Sequence, residues 1–249
     1  ELKGQGYTAA KTGVAVSDNP TGPFTFLDAF NPNAGIWPQG YSDELKNKSF
    51  PDTLKDWTEE WIMAVKDGMF VHRDFEKGQM ARDMTLFVDE DGTAYHIHAS
   101  EENLTIHIAE LNDEYTGFTG KYIRVLPTGH NEAPAIFKHN GKYYMITSRC
   151  TGWEPNAARL LVSDSVFGSW EYVKNPCIGD DKDLTFHSQS TYILPLEGKN
   201  NAFIFMADRW IPKNAIDGRY IWLPIKFDEN GIPYLEWMNE WNLSVFDSL

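Results

Sequence analysis

The feature that most constrains the fold of this chain is a repeat with a period of about fifty residues. Its first part is a glycine-containing turn between two apolar strands, and the Asn-Gly copy is a strong signal for a tight β-hairpin. The three copies read LFVDEDGTAYHIHAS at 86–100, IFKHNGKYYMITS at 136–148 and ILPLEGKNNAFIFMAD at 193–208. Their turn glycines, Gly92, Gly141 and Gly198, are 49 and 57 residues apart.

A second unit of the repeat places an Asp four residues before a Gly. Its copies are VAVSDNPTGPF at 14–24, IAELNDEYTGF at 108–118 and LLVSDSVFGSW at 160–170, with a looser copy, IKFDENGIPYLEW, at 225–237. We expect the Asp to cap the turn with its side chain and the Gly to supply a positive φ. The Asp/Gly pairs are Asp18/Gly22, Asp113/Gly117 and Asp164/Gly168.

Four antiparallel strands in each period are typical of a β-propeller blade. Complete blades are predicted over about 83–125, 132–175 and 187–241, and the opening GYTAAKTGVAVSDNPTGPFTF supplies only the last strands of another. Because a ring of three and a half blades would leave unpaired flanks, we expect about a hundred N-terminal residues, including the first blade, to be missing. The predicted fold is an incomplete five-bladed β-propeller, all-β, with residues 1–249 in a single catalytic domain.

Residues 31–80 break the period. We expect a helix from Thr53 to Asp67, capped by Asp52, as an insertion on a rim of the ring near residues 50–70. The residues expected on its apolar face are Leu54, Trp57, Trp61 and Val65.

The charge of the chain limits its partners. There are 36 acidic and 22 basic residues, a net charge of −14. This argues against nucleic acid and anionic membranes as partners, since both require a basic surface. No stretch approaches the roughly 18 apolar residues of a membrane span. The nine tryptophans fit a β-rich core or stacking on sugar faces, and both interpretations stay open.

The cysteines and histidines do not form a recognisable metal pattern. Cys150 and Cys177 have no metal-ligand spacing, and they are either buried thiols or a single disulfide. His96, His98 and His107 alternate on two predicted strands and are interpreted as structural.

A polar residue stands at the start of the predicted innermost strand of each complete blade. These are Asp83 in RDMT, Glu132 in NEAP and Gln189 in HSQS. Since the innermost strands of a propeller line its central channel, we expect these three side chains to converge there, although Asp83 alone would also fit a turn cap.

This set suits glycoside hydrolysis, which needs a protonated acid at the leaving oxygen and usually a second carboxylate. Burial and a neighbouring like charge keep a carboxyl group protonated. Glu132 is therefore the predicted acid and Asp83 the neighbour that raises its pKa. Gln189 does not exchange a proton easily, so it is predicted to bind water or a sugar hydroxyl.

The loops that follow the second strand of each blade are predicted to reach the same end of the central channel. Trp153 and Trp210 are candidate stacking platforms, with core packing as the alternative. The candidate partners for sugar hydroxyls are Glu102, Asn103, Asn156 and Arg209.

These stretches resemble glycoside hydrolase family 43, and within it the exo-β-1,3-galactanase (galactan 1,3-β-galactosidase) subgroup. The similar segments are GYTAAKTGVAVSDNPTGPF, RDMTLFVDEDGTAYHIHASEEN, NEAPAIFKHNGKYYMITSRCTGWEPN, FHSQSTYI and FMADRW. RDMTLF, EAPA and HSQS are specific as a set, although each is weak alone.

The resemblance implies a role for each matching position. Glu132 matches the general acid, Asp83 the carboxylate that tunes and orients it, and Gln189 a glutamine that replaces the usual base. Residues implied to bind the terminal sugar are Thr151, Trp153, Trp210 and, by a match at the chain terminus, Glu1. The resemblance also implies an inverting, secreted or periplasmic enzyme, with a structural Ca²⁺ in some members.

The predicted function is release of galactose from β-1,3-galactan, the backbone of arabinogalactan, without a cofactor and by a monomer. The expected partner is a polysaccharide or oligosaccharide. Two alternatives stay open: another glycosidase of the same fold, such as an α-L-arabinofuranosidase or β-xylosidase, and a non-catalytic carbohydrate-binding propeller.

Overall fold

The computed structural model describes residues 6–247, which are built mainly from short β-strands with few helices. The all-β prediction is confirmed at this level. The chain divides into two compact units, Glu1–His130 and Asn131–Leu249. Within residues 6–247 no helix has both the length and the apolar character needed to cross a membrane. The predicted sugar-binding Glu1 lies outside the described residues.

The first unit contains two antiparallel sheets. A two-stranded sheet pairs β1 (Thr12–Val16) with β2 (Thr25–Phe30). A four-stranded sheet follows in chain order, formed by β3 (Met84–Val88), β4 (Ala94–Ser100), β5 (Thr105–Leu111) and β6 (Phe118–Val125). All of β4 is buried, whereas alternate residues of the edge strand β3 are exposed. This sheet matches the first complete blade expected from the repeat.

Three short helices replace the single helix predicted for residues 53–67. They are α1 (Asp43–Lys46), α2 (Glu59–Lys66) and α3 (Met69–Arg73). The N-cap of α2 is Thr58, whose hydroxyl accepts a hydrogen bond from the Trp61 amide, so the prediction of Asp52 as the cap is wrong. Trp57 has a left-handed φ of 68°, so a helix that starts at Thr53 cannot continue through this residue.

Only part of the apolar face that was predicted for a helix over residues 53–67 is buried. Trp61 and Val65 are buried in a cluster with Leu104, against which Leu54 packs. Trp57 is instead 56% exposed. The insertion therefore packs on the four-stranded sheet through the last two turns of the predicted helix.

The second unit also begins with a four-stranded antiparallel sheet. Its strands are β7 (Glu132–His139), β8 (Lys142–Ser148), β9 (Arg159–Ser163) and β10 (Glu171–Lys174). A three-stranded antiparallel sheet contains β12 (Gln189–Pro195), β13 (Phe203–Arg209) and β14 (Arg219–Pro224). The apolar core of the unit, including Phe137, Ile146 and Phe205, lies between these two sheets.

A third sheet in this unit differs from the prediction. It joins β11 (Cys177–Ile178), β15 (Lys226–Phe227) and β16 (Pro233–Glu236), and β11 pairs with β16 in parallel. The prediction that 187–241 forms one four-stranded blade is therefore wrong. The last hairpin pairs with a strand from residues 177–178, and a local sequence pattern does not reveal such a long-range partner.

The turn chemistry of the hairpins is confirmed. Gly92, Gly141 and Gly198 have φ values of 87°, 73° and 78°, and Asn140 beside Gly141 has 50°. A two-residue turn with positive φ at both positions matches the right-handed twist of the strands that it joins.

The Asp-to-Gly turns are built differently from the prediction. The residue before each Asp makes the cap: the Ser17 hydroxyl accepts from the Asn19 amide, and the Asn112 side chain accepts from the Gly117 amide. In the third copy the Ser163 hydroxyl accepts from the Ser165 amide. Of the three glycines only Gly22 has a positive φ. A Cβ at Gly168 would lie 2.6 Å from the Ser165 hydroxyl, so that glycine provides space.

Candidate active site

Glu132 begins β7, where it pairs with Ser148, the last residue of β8. A β-bulge follows immediately, between Glu132 and Ala135, and Ala133 has a φ of 51°. Pro134 lies inside this bulge, where its lack of an N–H breaks no regular ladder bond. Because a bulge re-aims the side chains beside it, we expect the EAPA sequence to set the direction of the Glu132 carboxyl group.

Gln189 begins β12 and reaches the same place. Its Nε2 donates a 2.7 Å hydrogen bond to the hydroxyl of Ser148, which is 5% exposed. The next residue, Ser190, donates a 2.6 Å hydrogen bond to the carbonyl oxygen of Ala133 in the bulge. One serine thus lies opposite Glu132 and also bonds Gln189. Within the second unit, Ser148 is therefore the ladder partner of Glu132 and the hydrogen-bond partner of Gln189.

The buried side chain of Arg159 links the residue before β7 to the last residue of β8. The Arg159 guanidinium donates to the Asn131 side chain and, at 3.4 Å, to the Ser148 carbonyl oxygen. Asn131 is fully buried and Arg159 is 8% exposed. Burial, followed by the charge of nearby Arg149, lowers the pKa of Arg159 to about 10, so it stays charged at neutral pH. Sequence analysis identified none of Ser148, Asn131 or Arg159.

The loop after β8 is held together by its own side chains. Asn156 accepts from the Arg149 amide at 3.0 Å and donates to the Thr151 hydroxyl at 2.7 Å. Thr151 in turn donates to the Glu154 carbonyl oxygen at 2.6 Å. Asn156 and Thr151 were both predicted to contact sugar, and these bonds show that they also shape the loop.

The two predicted stacking tryptophans contact each other. The Trp210 indole donates a 3.1 Å hydrogen bond to the Trp153 carbonyl oxygen, and the rings meet edge to face with centroids 6.3 Å apart. Trp153 is 62% exposed. The pair therefore joins the loops that follow β8 and β13 and leaves Trp153 largely exposed to solvent.

Arg209 lies at the end of β13 beside this pair. Its guanidinium donates to the carbonyl oxygen of Phe186 and lies 5.3 Å from the ring centroid of Trp237. The preceding residue, Asp208, stands opposite Gln189 in the β12–β13 ladder. Burial raises the pKa of the Asp208 carboxyl group. Sequence analysis passed over this carboxylate, although it lies inside the quoted FMADRW segment.

The remaining predicted residues belong to the first unit. Asp83 directly precedes β3 and is exposed, and its carbonyl oxygen accepts from the Ala99 amide at 2.9 Å. The carboxylate of Glu102 accepts from Arg73 at 3.0 Å and from Arg82 at 2.7 Å. Asn103 lies in the same turn. The roles of these residues in sugar binding stay predictions.

The buried carboxylate of this turn is Glu101, which sequence analysis did not single out. Arg124 donates to both of its oxygens at 2.6 Å, and His107 lies 2.8 Å from one of them. Burial alone would raise the pKa of Glu101, but the Arg124 charge and hydrogen bonds hold it at about 2. Arg124 also donates to the carbonyl oxygens of Val65 and Lys66 at the end of α2. This network joins the helical insertion to the sheet.

The three histidines are buried together. His96 and His98 share a 2.9 Å contact between their Nδ1 atoms, and His98 stands opposite His107 in the β4–β5 ladder. Burial lowers the pKa of all three, that of His96 to about 4. Among residues 6–247, no three His, Cys, Asp or Glu side chains are placed to hold a metal ion. A structural Ca²⁺, expected from the family resemblance alone, stays a prediction.

Cys150 and Cys177 do not form a disulfide with each other. Burial raises the pKa of Cys177 to about 12, which keeps it a protonated thiol. The structure therefore has two thiols in place of a disulfide, and only Cys177 is buried, since Cys150 is partly exposed.

Comparison with known proteins decides the family. Residues 55–233 match the model of glycosyl hydrolases family 43. The chain belongs to this family. A solved family 43 β-1,3-galactosidase with bound galactodeoxynojirimycin is 55% identical, with a TM-score of 0.96 over 98% of this chain and 71% of its own. The exo-β-1,3-galactanase from Clostridium thermocellum is 30% identical, with a TM-score of 0.70 over 92% of this chain.

A curated family relative is more distant. The β-D-galactofuranosidase xynD of Aspergillus niger is 25% identical over 145 residues, or 57% of this chain. The family 43 chain described here spans 41% of the length of that relative and 42% of the Clostridium thermocellum structure. The family resemblance stated from the sequence is confirmed.

Proposed function

We propose that this chain carries the catalytic centre of an inverting, exo-acting hydrolase that releases galactose from β-1,3-galactan. The observation that carries the proposal is the shared centre of Glu132, Ser148 and Gln189. Support for the substrate comes from the β-1,3-galactosidase at 55% identity and from an exo-β-1,3-galactanase of Phanerochaete chrysosporium solved with β-1,3-galactotriose.

Glu132 is the general acid of this proposal. It donates its proton to the glycosidic oxygen as the bond from that oxygen to the anomeric carbon breaks. Gln189 holds the attacking water on the opposite face through its Oε1, since its Nε2 is engaged by Ser148. The proton lost by the water passes to solvent, because an amide is a poor base. For Asp83 we propose the role that the family resemblance implies, that of the carboxylate which tunes and orients the acid.

The walls of the sugar site follow from the same proposal. Trp153 and Trp210 contact the apolar face of the terminal galactose, and Thr151 lies beside them. Hydroxyl partners are proposed at Glu102, Asn103, Asn156 and Arg209. The Asn156 and Thr151 bonds that shape the loop support this assignment, since they pre-order a binding surface before sugar arrives.

We also propose the finer fold: a single five-bladed propeller domain, with about three and a half blades in this chain and the first blade absent from it. Exposed apolar side chains on two sheets support it. Phe26 on β2 is 62% exposed, and Leu86 and Val88 on β3 are 57% and 55% exposed. A strand face of this kind normally packs against another sheet.

One assay separates the open alternatives. The protein is incubated with linear β-1,3-galactan and with 4-nitrophenyl glycosides of β-galactose, α-L-arabinofuranose, β-xylose and β-galactofuranose. We expect free galactose from the galactan, with the α-anomer appearing first by NMR because inversion converts a β-linkage. Release of another sugar alone would identify a different glycosidase. Binding of galactan without any reducing sugar would identify a carbohydrate-binding propeller.

A further inference from the structure

A cavity of about 510 Å³ lies beside the segment that leads into Gln189. One wall is the 3-10 segment Lys182–His187, which ends two residues before Gln189. Two consecutive peptide units span at most about 7 Å, so the backbone of His187 lies within about that distance of the backbone of Gln189. Arg209 and Trp237 form the other side.

The wall near Gln189 is held in an unusual conformation. Four of its non-glycine residues have left-handed φ values: Asp181 at 57°, Thr185 at 49°, Phe186 at 56° and His187 at 62°. Such backbone persists only where the surroundings over-determine it, and it concentrates at functional sites. Here the Thr185 hydroxyl donates to the Asn156 carbonyl oxygen at 2.6 Å, and Arg209 donates to the Phe186 carbonyl oxygen. The same loop and strand end carry the proposed sugar contacts.

The side chains around the cavity have the composition of a sugar subsite. Trp237 is 41% exposed, and its indole N–H donates to the Asn239 side chain at 2.8 Å, which fixes the ring. At the opposite wall, Nε2 of His187 lies 3.2 Å from a carboxylate oxygen of Asp181. An aromatic face combined with a few placed polar groups is the usual construction of a small-ligand pocket.

The charge of the cavity selects among sugars. Asp180, Asp181 and Glu236 line it together with His187 and the cation Arg209. An acidic sugar would meet more carboxylates than cations, and like charges in contact disfavour a ligand. A neutral sugar can instead use the carboxylates as hydroxyl acceptors.

We propose that this cavity is a second sugar subsite, which binds a further neutral hexopyranose unit of the substrate while the terminal unit lies at Glu132 and Gln189. The inference rests on the proposed function. The unit comes either from the galactan backbone or from a branch, and the two sources share the same chemistry.

The test compares wild type with Trp237→Ala and Trp237→Phe on three substrates: 4-nitrophenyl β-galactoside, linear β-1,3-galactotriose and the same trisaccharide with a β-1,6-linked galactosyl branch. We expect Trp237→Ala to lower kcat/KM about tenfold, mostly through KM, on a substrate that reaches the cavity. The 4-nitrophenyl galactoside is too short and should be unaffected, which also controls for folding. Trp237→Phe, which keeps an aromatic face, should retain most of the wild-type value.

A loss on both oligosaccharides supports the proposal and shows that the bound unit belongs to the backbone, whereas a loss on the branched one alone supports it and shows that the bound unit is the branch. Unchanged kcat/KM of Trp237→Ala on both oligosaccharides overturns it. Tyr172→Ala, which removes an aromatic ring that is 54% exposed on β10, is the matched control and should match wild type.

Failure of the proposed function is distinguishable from failure of this inference. If wild type cleaves none of the three substrates, calorimetry with the two oligosaccharides replaces the rate measurement. Weaker binding to Trp237→Ala than to wild type then supports the subsite, and equal binding overturns it.

Discussion

The side-chain amide of Gln189 donates a 2.7 Å hydrogen bond to the hydroxyl of Ser148. This bond joins the first strand of one sheet to the second strand of its neighbour, and Ser148 stands directly opposite Glu132. A glutamine amide carries a donor end and an acceptor end, so engaging the donor end leaves Oε1 directed elsewhere. The serine therefore acts as a positioning residue for the water that Gln189 is proposed to hold.

Replacing that hydroxyl should impair turnover more than binding. We expect Ser148→Ala to lower kcat by about ten- to a hundredfold with little change in KM, because Gln189 loses its fixed orientation. The free energy of unfolding should fall by about 1 kcal/mol, the usual contribution of one hydrogen bond. Steady-state kinetics and urea unfolding measure both. Ser165→Ala, on an exposed turn, is the control, and an equal effect of the two substitutions on kcat would count against the positioning role.

The bulge beside Glu132 can be tested through Ala133, whose φ of 51° suits glycine better than any branched residue. Ala133→Val should lower the free energy of unfolding by about 1–3 kcal/mol, since it forces a β-branched residue into the left-handed region. It should also reduce activity by re-aiming Glu132. Ala133→Gly is the matched control and should keep stability and activity near wild type. A valine variant with wild-type activity would show that the bulge does not set the direction of Glu132.

Replacing one member of the buried pair Glu101 and Arg124 should destabilise the protein strongly, and replacing both should cost less than the two single changes together. Glu101→Leu or Arg124→Met alone should lower the free energy of unfolding by about 3–5 kcal/mol, because each leaves an uncompensated buried group. The double substitution Glu101→Leu with Arg124→Met should cost less than the sum of the single changes. A double-mutant cycle by denaturant unfolding measures the difference. Additive costs would mean that the two side chains act independently.

The stability of the first unit should depend on pH through His96. Burial lowers its pKa in the folded state from 6.5 to about 4, so the unfolded state binds the proton more readily. The free energy of unfolding is then unaffected above pH 6.5 and falls as the pH drops from 6.5 towards 4, by up to about 3 kcal/mol. His96→Gln, which does not titrate, should make this part of the profile shallower, while His98 and His107 keep a remaining slope. Denaturant midpoints between pH 4 and 7 give the comparison, and identical slopes in the two proteins would contradict the assignment.

Local chemistry made the hairpins predictable from sequence. Asn140 and Gly141 together specify a turn that few other residue pairs adopt, and the flanking apolar runs mark the strands. The same reasoning located Glu132 and Gln189 at strand starts, because the polar-to-apolar change is visible in the chain. Family membership followed from these segments taken together.

What the sequence did not reveal depends on pairing between distant segments. Ser148 is one of many polar residues at a strand end, and only the β7–β8 register and the approach of β12 give it two functional neighbours. Glu101 and Glu102 are adjacent and chemically equal, yet only Glu101 faces Arg124. The pairing of β11 with β16 joins segments more than fifty residues apart. The spacing of apolar residues favoured a helix over 53–67, but the left-handed backbone of Trp57 interrupts it.

The proposed role of Glu132 is tested most directly by measuring how the rate loss in Glu132→Gln depends on the leaving group of the substrate. Rates of wild type and Glu132→Gln are compared on linear β-1,3-galactan, whose leaving hydroxyl needs a proton, and on 2,4-dinitrophenyl β-galactoside, whose leaving group does not. General acid catalysis contributes about 10²–10⁴-fold, so the variant should lose at least a hundredfold on galactan and far less on the dinitrophenyl substrate. An equal loss on both substrates, or galactan hydrolysis at the wild-type rate, would contradict the account.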